Sequence, residues 1–344
     1  LMVLFSFVII INPAHIKNIL LHKAFSFLLI LNAINLFYWI LFHDIAEVEA
    51  LKYLLARAVQ FTIISVSIYH NFEYFKNKFF SHLVYVIFII VILGIIVNPY
   101  LFSARYSGII WNPNALASFT TIGFAVLLLK SREKTNFENI SLFLFLLISI
   151  ATGSRGVLVG IAIAFIIRYR FSTRNIIFTI IGIITFFLLI TLNIDTSLNR
   201  FETQSLLNDR WIQFYYAFET FLQKPFTGWG LDKYAFIDMS IIPYYLKGSI
   251  IGAHNGYLAI LVQYGLIFAS IIFYIIFKKA TETLSYFRKN RTGYVAIYSF
   301  LIIYALLASI YETLMTGINE FHTILFWFSL AILSFSKFKI EDEN

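Results

Sequence analysis

The stretch "GAHNGYLAILVQYGLIFAS", residues 252–270, opens on a titratable, hydrogen-bonding pair, His254-Asn255, and runs at once into an apolar helix that continues to about residue 278. A run of that length with so few charges reads as a membrane span. Blocks of the same kind recur on both sides of it, at 1–12, 19–42, 50–69, 81–98, 114–130, 140–151, 154–169, 175–193, 294–313 and 320–337. With 256–278 they make about eleven expected helical spans. The whole chain agrees, being 60% hydrophobic and only 13% charged over 344 residues, with a mean hydropathy of +0.82. The sequence therefore predicts an all-α integral membrane protein of about 11–12 transmembrane helices. A β-barrel is disfavoured, because barrel strands alternate apolar and polar residues and these runs are continuous. There is no Cys, which removes disulfides, thiolate nucleophiles and Cys-bound metals.

The net charge of +8 does not point to nucleic acid, since the basic residues are scattered over many short loops. They report topology instead. Loops carrying Lys17 and Lys23, Lys76 and Lys78, Lys130 to Lys134, Arg168 to Arg174, Lys278 to Arg291, and Lys337 and Lys339 alternate with poorer ones, and by the positive-inside rule face the cytoplasm. The opposite set, "HDIAEVEA" at 43–50, "NPYLFSARYSGIIWNPN" at 98–114, "TGSRG" at 152–156 and the long stretch 194–255, then faces outward. The expected organisation is N-terminal spans over 1–193, an extracytoplasmic loop over 194–255, and C-terminal spans with a short cytoplasmic tail over 256–344. Within the loop, "DRWIQFYYAFETFLQK" spaces its aromatic residues by three and four and reads as an amphipathic helix at the outer interface. The chain opens on Leu1 and a block shorter than a span, so an N-terminal helix is expected to be missing or its boundary displaced; no cleavable signal peptide is expected.

Four outward arginines, Arg105, Arg155, Arg200 and Arg210, break the charge rule. A lone interfacial Arg ordinarily snorkels or pairs with an acid. Arg155 is different, because the flanking apolar stretches of about twelve residues span roughly 18 Å against about 30 Å of hydrocarbon, so its turn should dip below the surface. An Arg held there needs a polar cavity or an anion, and the guanidinium fork matches phosphate. Arg57, inside the third span, either joins the same site or snorkels. His254 shares the outward face and can accept a proton from an attacking hydroxyl, while Asn255 can orient its ring or hold a sugar hydroxyl. The acidic run Asp44, Glu47 and Glu49 reads as a solvated loop or as a carboxylate base or cation site. No spacing requires a metal or another cofactor.

The sequence resembles the O-antigen ligase and polymerase family of multi-pass bacterial membrane glycosyltransferases. Four stretches in the family's order carry the likeness: "RYSGIIWNPNALA" (105–117), "TGSRGVLVG" (152–160), "DRWIQFYYAFETFLQKPFTGWGLDKY" (209–234) and "AHNGYLAILVQYGLIF" (253–268). The resemblance implies transfer of glycan from an undecaprenyl pyrophosphate carrier to an acceptor hydroxyl on a saccharide or lipid-saccharide, at the outer (periplasmic) face of the bacterial cytoplasmic membrane. It implies pyrophosphate-binding roles for Arg155 and Arg210, with Arg105 the third candidate, and a catalytic base in His254. Gly228 and Gly230 match the loop that closes over the site; Asn255 and Trp211 are further candidate substrate contacts, and Trp211 and Trp229 either stack on sugars or belong to an interfacial belt. A chain-length regulator or a flippase is the partner it implies besides membrane lipid. The competing class is a flippase for lipid-linked glycan, which should place polar groups at mid-membrane and show broken helices.

Overall fold

The computed structural model describes residues 13–102, 105–130, 133–154, 156–169, 208–248, 250, 252–291, 293–318 and 320–343. The expected spans at 1–12 and 175–193, together with Arg155 and Arg200, lie outside the described residues. Those described are helical and irregular, with no strand among them: α1 (Pro13–Leu20), α2 (Ser26–Phe42), α3 (Val48–Asn77), α4 (Phe79–Val97), α5 (Pro113–Leu129), α6 (Asn136–Ala151), α7 (Gly156–Tyr169), α8 (Asn208–Gln223), α9 (Gly256–Lys289), α10 (Gly293–Ala308) and α11 (Phe321–Glu343). Helices α3, α4, α9 and α11 are long and apolar enough to cross a membrane, and α2, α5, α6, α7 and α10 are shorter apolar helices. This is the all-α multi-pass membrane protein that the sequence predicts.

Boundaries differ from expectation for identifiable reasons. α3 runs on to Asn77 by bending at Asn71 (φ −119°, ψ 29°). α6 starts at Asn136, four residues early, because Thr135 and Glu138 form a reciprocal capping box ahead of the apolar run. Even so α6 and α7, of 16 and 14 residues, extend only about 24 and 21 Å, still short of about 30 Å. α10 stops at Ala308, well before the expected 313, and the described residues between it and Phe321 are irregular.

The chain forms two units, one of residues 1–72, 209–290 and 305–344, the other of 73–208 and 291–304. In the second, α5 is the central element, buried from Thr120 to Leu129. Small residues let its neighbours approach: a Cβ on Gly123 would lie 2.7 Å from the Phe145 ring of α6, and one on Gly160 of α7 would lie 2.4 Å from Thr121. A buried hydroxyl pair, Ser149 donating to Thr120 at 2.7 Å, joins α5 to α6.

The first unit is organised around a break in α9. Gly265 has φ 67° and ψ 173°, so the helical ladder is interrupted there and carbonyls of the preceding turn lose their partners. The segment after α8 supplies replacements. Trp229 and Gly230 donate their N–H groups to the carbonyls of Val262 and Gln263, at 2.9 and 3.1 Å, and Leu266 N–H donates to the Pro225 carbonyl at 2.7 Å. From α2, the Tyr38 hydroxyl lies 2.6 Å from the Thr227 carbonyl and 3.0 Å from that of Gln263, and Asn35 accepts from the Tyr264 hydroxyl at 2.8 Å. Irregular backbone at membrane depth is tolerated when other protein satisfies it in this way.

Candidate functional site

His254 sits in the turn that leads into α9, and its backbone is in the left-handed region at φ 41°. A non-glycine residue there costs about 1–3 kcal/mol and persists only where its surroundings hold it. They do so on three sides. Ala253 N–H donates to the Ala235 carbonyl at 3.1 Å, Gly256 N–H to the Ser309 carbonyl at 2.7 Å, and Asn255 Nδ2 to the Ile310 carbonyl at 2.9 Å. Asn255 Oδ1 also caps α9 by accepting from Tyr257 and Leu258 N–H at 2.9 and 3.0 Å. The side chain that the sequence offers as a substrate contact thus sets the direction of its neighbour.

The irregular segment after α10 brings Glu312 to His254. Glu312 Oε2 lies 3.4 Å from His254 Nδ1, at the long end of hydrogen-bond range, and both side chains are about a quarter exposed. The other carboxylate oxygen accepts from Arg210 at 2.7 Å. Arg210 also donates to the Tyr311 carbonyl and lies over the Tyr311 ring. Burial pushes the Glu312 carboxyl up, but the hydrogen bond from His254 and the Arg210 charge outweigh it and hold the group below the usual carboxylate range. A carboxylate with its charge retained can fix the imidazole so that Nδ1–H points at Glu312 and Nε2 is left to accept a proton. Arg210 stands in the first turn of α8, where the helix dipole disfavours a cation, so its position serves the cluster more than the helix.

Arg57 holds this segment from the opposite side. It is 3% exposed, which excludes snorkelling. Its guanidinium donates to the carbonyls of Thr316 and Gly317, the latter at 3.2 Å, to Gln60 at 2.7 Å and to the Tyr53 hydroxyl at 2.9 Å. Gln60 in turn donates to the Ile318 carbonyl at 2.6 Å. Three consecutive carbonyls beyond Glu312 are therefore clamped by α3. Arg57→Met should leave the Gly317 carbonyl without its donor and the Thr316 carbonyl with only the longer contact from the Tyr53 hydroxyl, at a cost of about 1–3 kcal/mol or more, read as a lower Tm of the purified protein. Arg57→Lys should recover part of that loss, because one ammonium can replace only part of the fork.

Gly228 and Gly230 stand at φ 74° and 122° in the segment paired with the α9 break. Over Gly230 lies His43, whose Nε2 accepts from Leu231 N–H at 3.0 Å and whose Nδ1 meets Glu47 at 2.5 Å. That accounts for Glu47 in the acidic run: it is the partner of an imidazole that holds the glycine loop. Glu49 instead pairs with Lys52 at 2.6 Å. Trp229 donates its indole N–H to the Thr220 carbonyl at 2.7 Å, while Trp211 is 65% exposed on the outer stripe of α8. Phe221, one of the aromatic residues at three- and four-residue spacing in the same helix, is 8% exposed.

Arg105 belongs to the other unit. Its Nε donates to the Thr152 carbonyl at 3.3 Å and its terminal nitrogen to Asn114 Oδ1 at 2.5 Å, which ties the 98–114 segment to the turn carrying "TGSRG". Pro113 is the first residue of α5, and Asn112, one before it, caps the helix through Asn114 and Ala115 N–H. The structure thus brings Arg210, His254 and Asn255 together with Glu312, Arg57 supporting them, and within the second unit it joins Arg105 to Thr152 and Asn114.

Residues 140–274 match the O-antigen ligase family model. Over that stretch, about two fifths of the chain, the protein is similar to O-antigen ligases, a family of glycosyl-transferring enzymes. Comparison with curated proteins gives no match. The matched ligase region holds Arg155, Arg210, Gly228, Gly230 and His254, while Arg57, Arg105 and Glu312 fall outside it. Glu312 is the member of the cluster that sequence reasoning missed; its signal is an acid in "YET", 311–313, just past the end of α10.

Proposed function

We propose that this protein transfers glycan from an undecaprenyl pyrophosphate carrier to an acceptor hydroxyl at the outer face of the cytoplasmic membrane, with His254 as general base. The observation that carries the reading is the Arg210–Glu312–His254 cluster, in which one carboxylate joins a cation to a base at the entrance to α9. Glu312 orients His254, whose Nε2 takes the proton of the acceptor O–H. The acceptor oxygen forms its bond to the anomeric carbon as the bond from that carbon to the pyrophosphate oxygen breaks. The electron pair leaves with the lipid pyrophosphate, whose added charge needs cations more than a proton. Arg210 supplies one of them and uses two of its five N–H groups on Tyr311 and Glu312. From the sequence pattern alone, Arg155 and Arg105 are proposed as further anion-binding residues. The imidazolium formed on His254 is then beside Glu312.

A flippase would also bind pyrophosphate, and the break in α9 is of the kind transporters use. Here the carbonyls at the break accept from Trp229 and Gly230, which favours a structural role for it. The test is transfer by purified protein from native undecaprenyl pyrophosphate glycan, followed by product size on a gel. A ladder from donor alone marks a polymerase, and product that waits for a second glycolipid marks a ligase. Donor movement across reconstituted vesicles with no product from either substrate set would replace the enzyme reading. Arg210→Lys should lower donor use by about tenfold or more, since it loses the bidentate fork while keeping the charge; full activity would remove the phosphate role.

A further inference from the structure

The face of α8 turned away from Arg210 carries a second concavity. At 3.6 residues per turn Arg210, Ala217 and Phe221 share one side of the helix, and Tyr215, Glu219 and Leu222 lie on the other. There Tyr215, Tyr216, Glu219, Leu222, Gln223 and Ile241 line an open groove of about 490 Å³. The wall that bears Ile241 is fixed to α8. Asp238 N–H donates to Thr220 Oγ1 at 3.0 Å, and the Asp238 carboxylate accepts from Ser240 N–H and the Ser240 hydroxyl at 2.9 and 2.8 Å. Beneath the groove, Tyr216 and Ile241 pack on a core that includes Ala217, Ile242 and Ala253, the residue before His254.

The lining combines two phenol rings, two aliphatic side chains, a carboxylate and a primary amide. Among the described residues no cation pairs with Glu219. A phosphate would find no positive group in the lining. An acyl chain would have to desolvate the carboxylate for no return. A sugar suits the mixed lining, its C–H faces lying against the tyrosine rings, Leu222 and Ile241 and its hydroxyls donating to the carboxylate and the amide oxygen. The loop that holds the groove faces outward by the charge rule, where lipid-linked glycans are presented.

We propose that this groove is a saccharide-binding subsite, separate from the cluster at His254, that holds the glycan portion of a substrate away from the bond being made. The source of that glycan, donor or acceptor, rests on the transferase reading; the capacity to bind sugar rests on the groove itself. The full chain in lipid nanodiscs would be titrated with two probes. One is the repeat-unit oligosaccharide released by mild acid from the carrier, the other the oligosaccharide released from the cell's glycolipid acceptor, with saturation-transfer NMR as readout. One probe is expected to bind, its identity naming the source. Binding should weaken about tenfold or more in Glu219→Gln, which removes a charged hydrogen-bond acceptor without changing shape, and in Tyr216→Ala, yet persist in Arg210→Ala. Failure of both probes to bind the wild type overturns the proposal, as does unchanged binding in both groove variants. Glu219-dependent binding in a protein that transfers nothing would keep the groove and remove the transferase. Transfer with unaltered substrate dependence in both variants would do the reverse.

Discussion

His254→Ala is expected to slow glycan transfer by about 10²–10⁴-fold, the range of general acid–base catalysis, while donor binding stays largely intact. Single-turnover transfer set beside donor titration separates the two quantities, and equal loss of both would make His254 a positioning group. Glu312→Gln is the companion variant. It keeps a hydrogen-bond acceptor near Nδ1 but removes the charge that joins His254 to Arg210, so a loss of about 10–100-fold is expected. Its effect should fall on turnover more than on KM. A change confined to KM would place Glu312 with donor binding alone.

The same carboxylate gives the site a pH dependence whose sign is fixed. Burial raises the Glu312 pKa, the His254 and Arg210 contacts lower it by more, and the net value lies below the usual carboxylate range. A group of that kind contributes stability that is complete above its unfolded pKa and is lost as pH falls through the folded value. The Tm of the wild type should therefore fall on the acid side of that window, and Glu312→Gln should have a flatter Tm profile over it. A profile of unchanged slope would mean that the cluster adds nothing to the fold.

Helical class, multi-pass character and the amphipathic α8 were legible from hydropathy and spacing because they depend on runs of residues, which one sequence displays fully. Arg210 and His254 stand out in the sequence because each contradicts its surroundings, one by charge in a loop that the charge rule turns outward and the other by a titratable group at the lip of a span. Glu312 does not, because an acid in a loop is ordinary until the fold brings residues 58 positions apart into contact. Arg57 was ambiguous for a related reason: its partners are backbone carbonyls of Thr316 and Gly317, which leave no mark on side-chain identity. The His43–Glu47 pair was present in the sequence at helical i, i+4 spacing, yet its target, Leu231 N–H, is again backbone.

Gly265 was equally silent, and it carries the second large prediction. Gly228→Ala and Gly265→Ala should each destabilise the protein by about 3 kcal/mol or more, among the largest effects expected of single substitutions. At Gly228 the new Cβ would lie 2.5 Å from the Gln263 carbonyl oxygen and from Gly265 N; at Gly265 it would lie 2.4 Å from the Phe226 carbonyl oxygen. Both residues have positive φ, so the added carbon is strained before any contact is counted. Every atom in the way is backbone, and one of them, the Gln263 carbonyl oxygen, is already committed to a hydrogen bond from Gly230 N–H that repairs the break in α9. Nothing can swing aside as a side chain would, and the loop must detach or the helix must shift. Gly248→Ala is the control, with no atom within 4 Å of its Cβ and an expected change near zero. Thermal unfolding in detergent compares the three directly, and a Gly265→Ala protein as stable as Gly248→Ala would show that the loop and the break are not held together. Because the repaired α9 begins at the cap beside His254, loosening it should also lower transfer by the folded fraction, which activity measured per folded molecule would reveal.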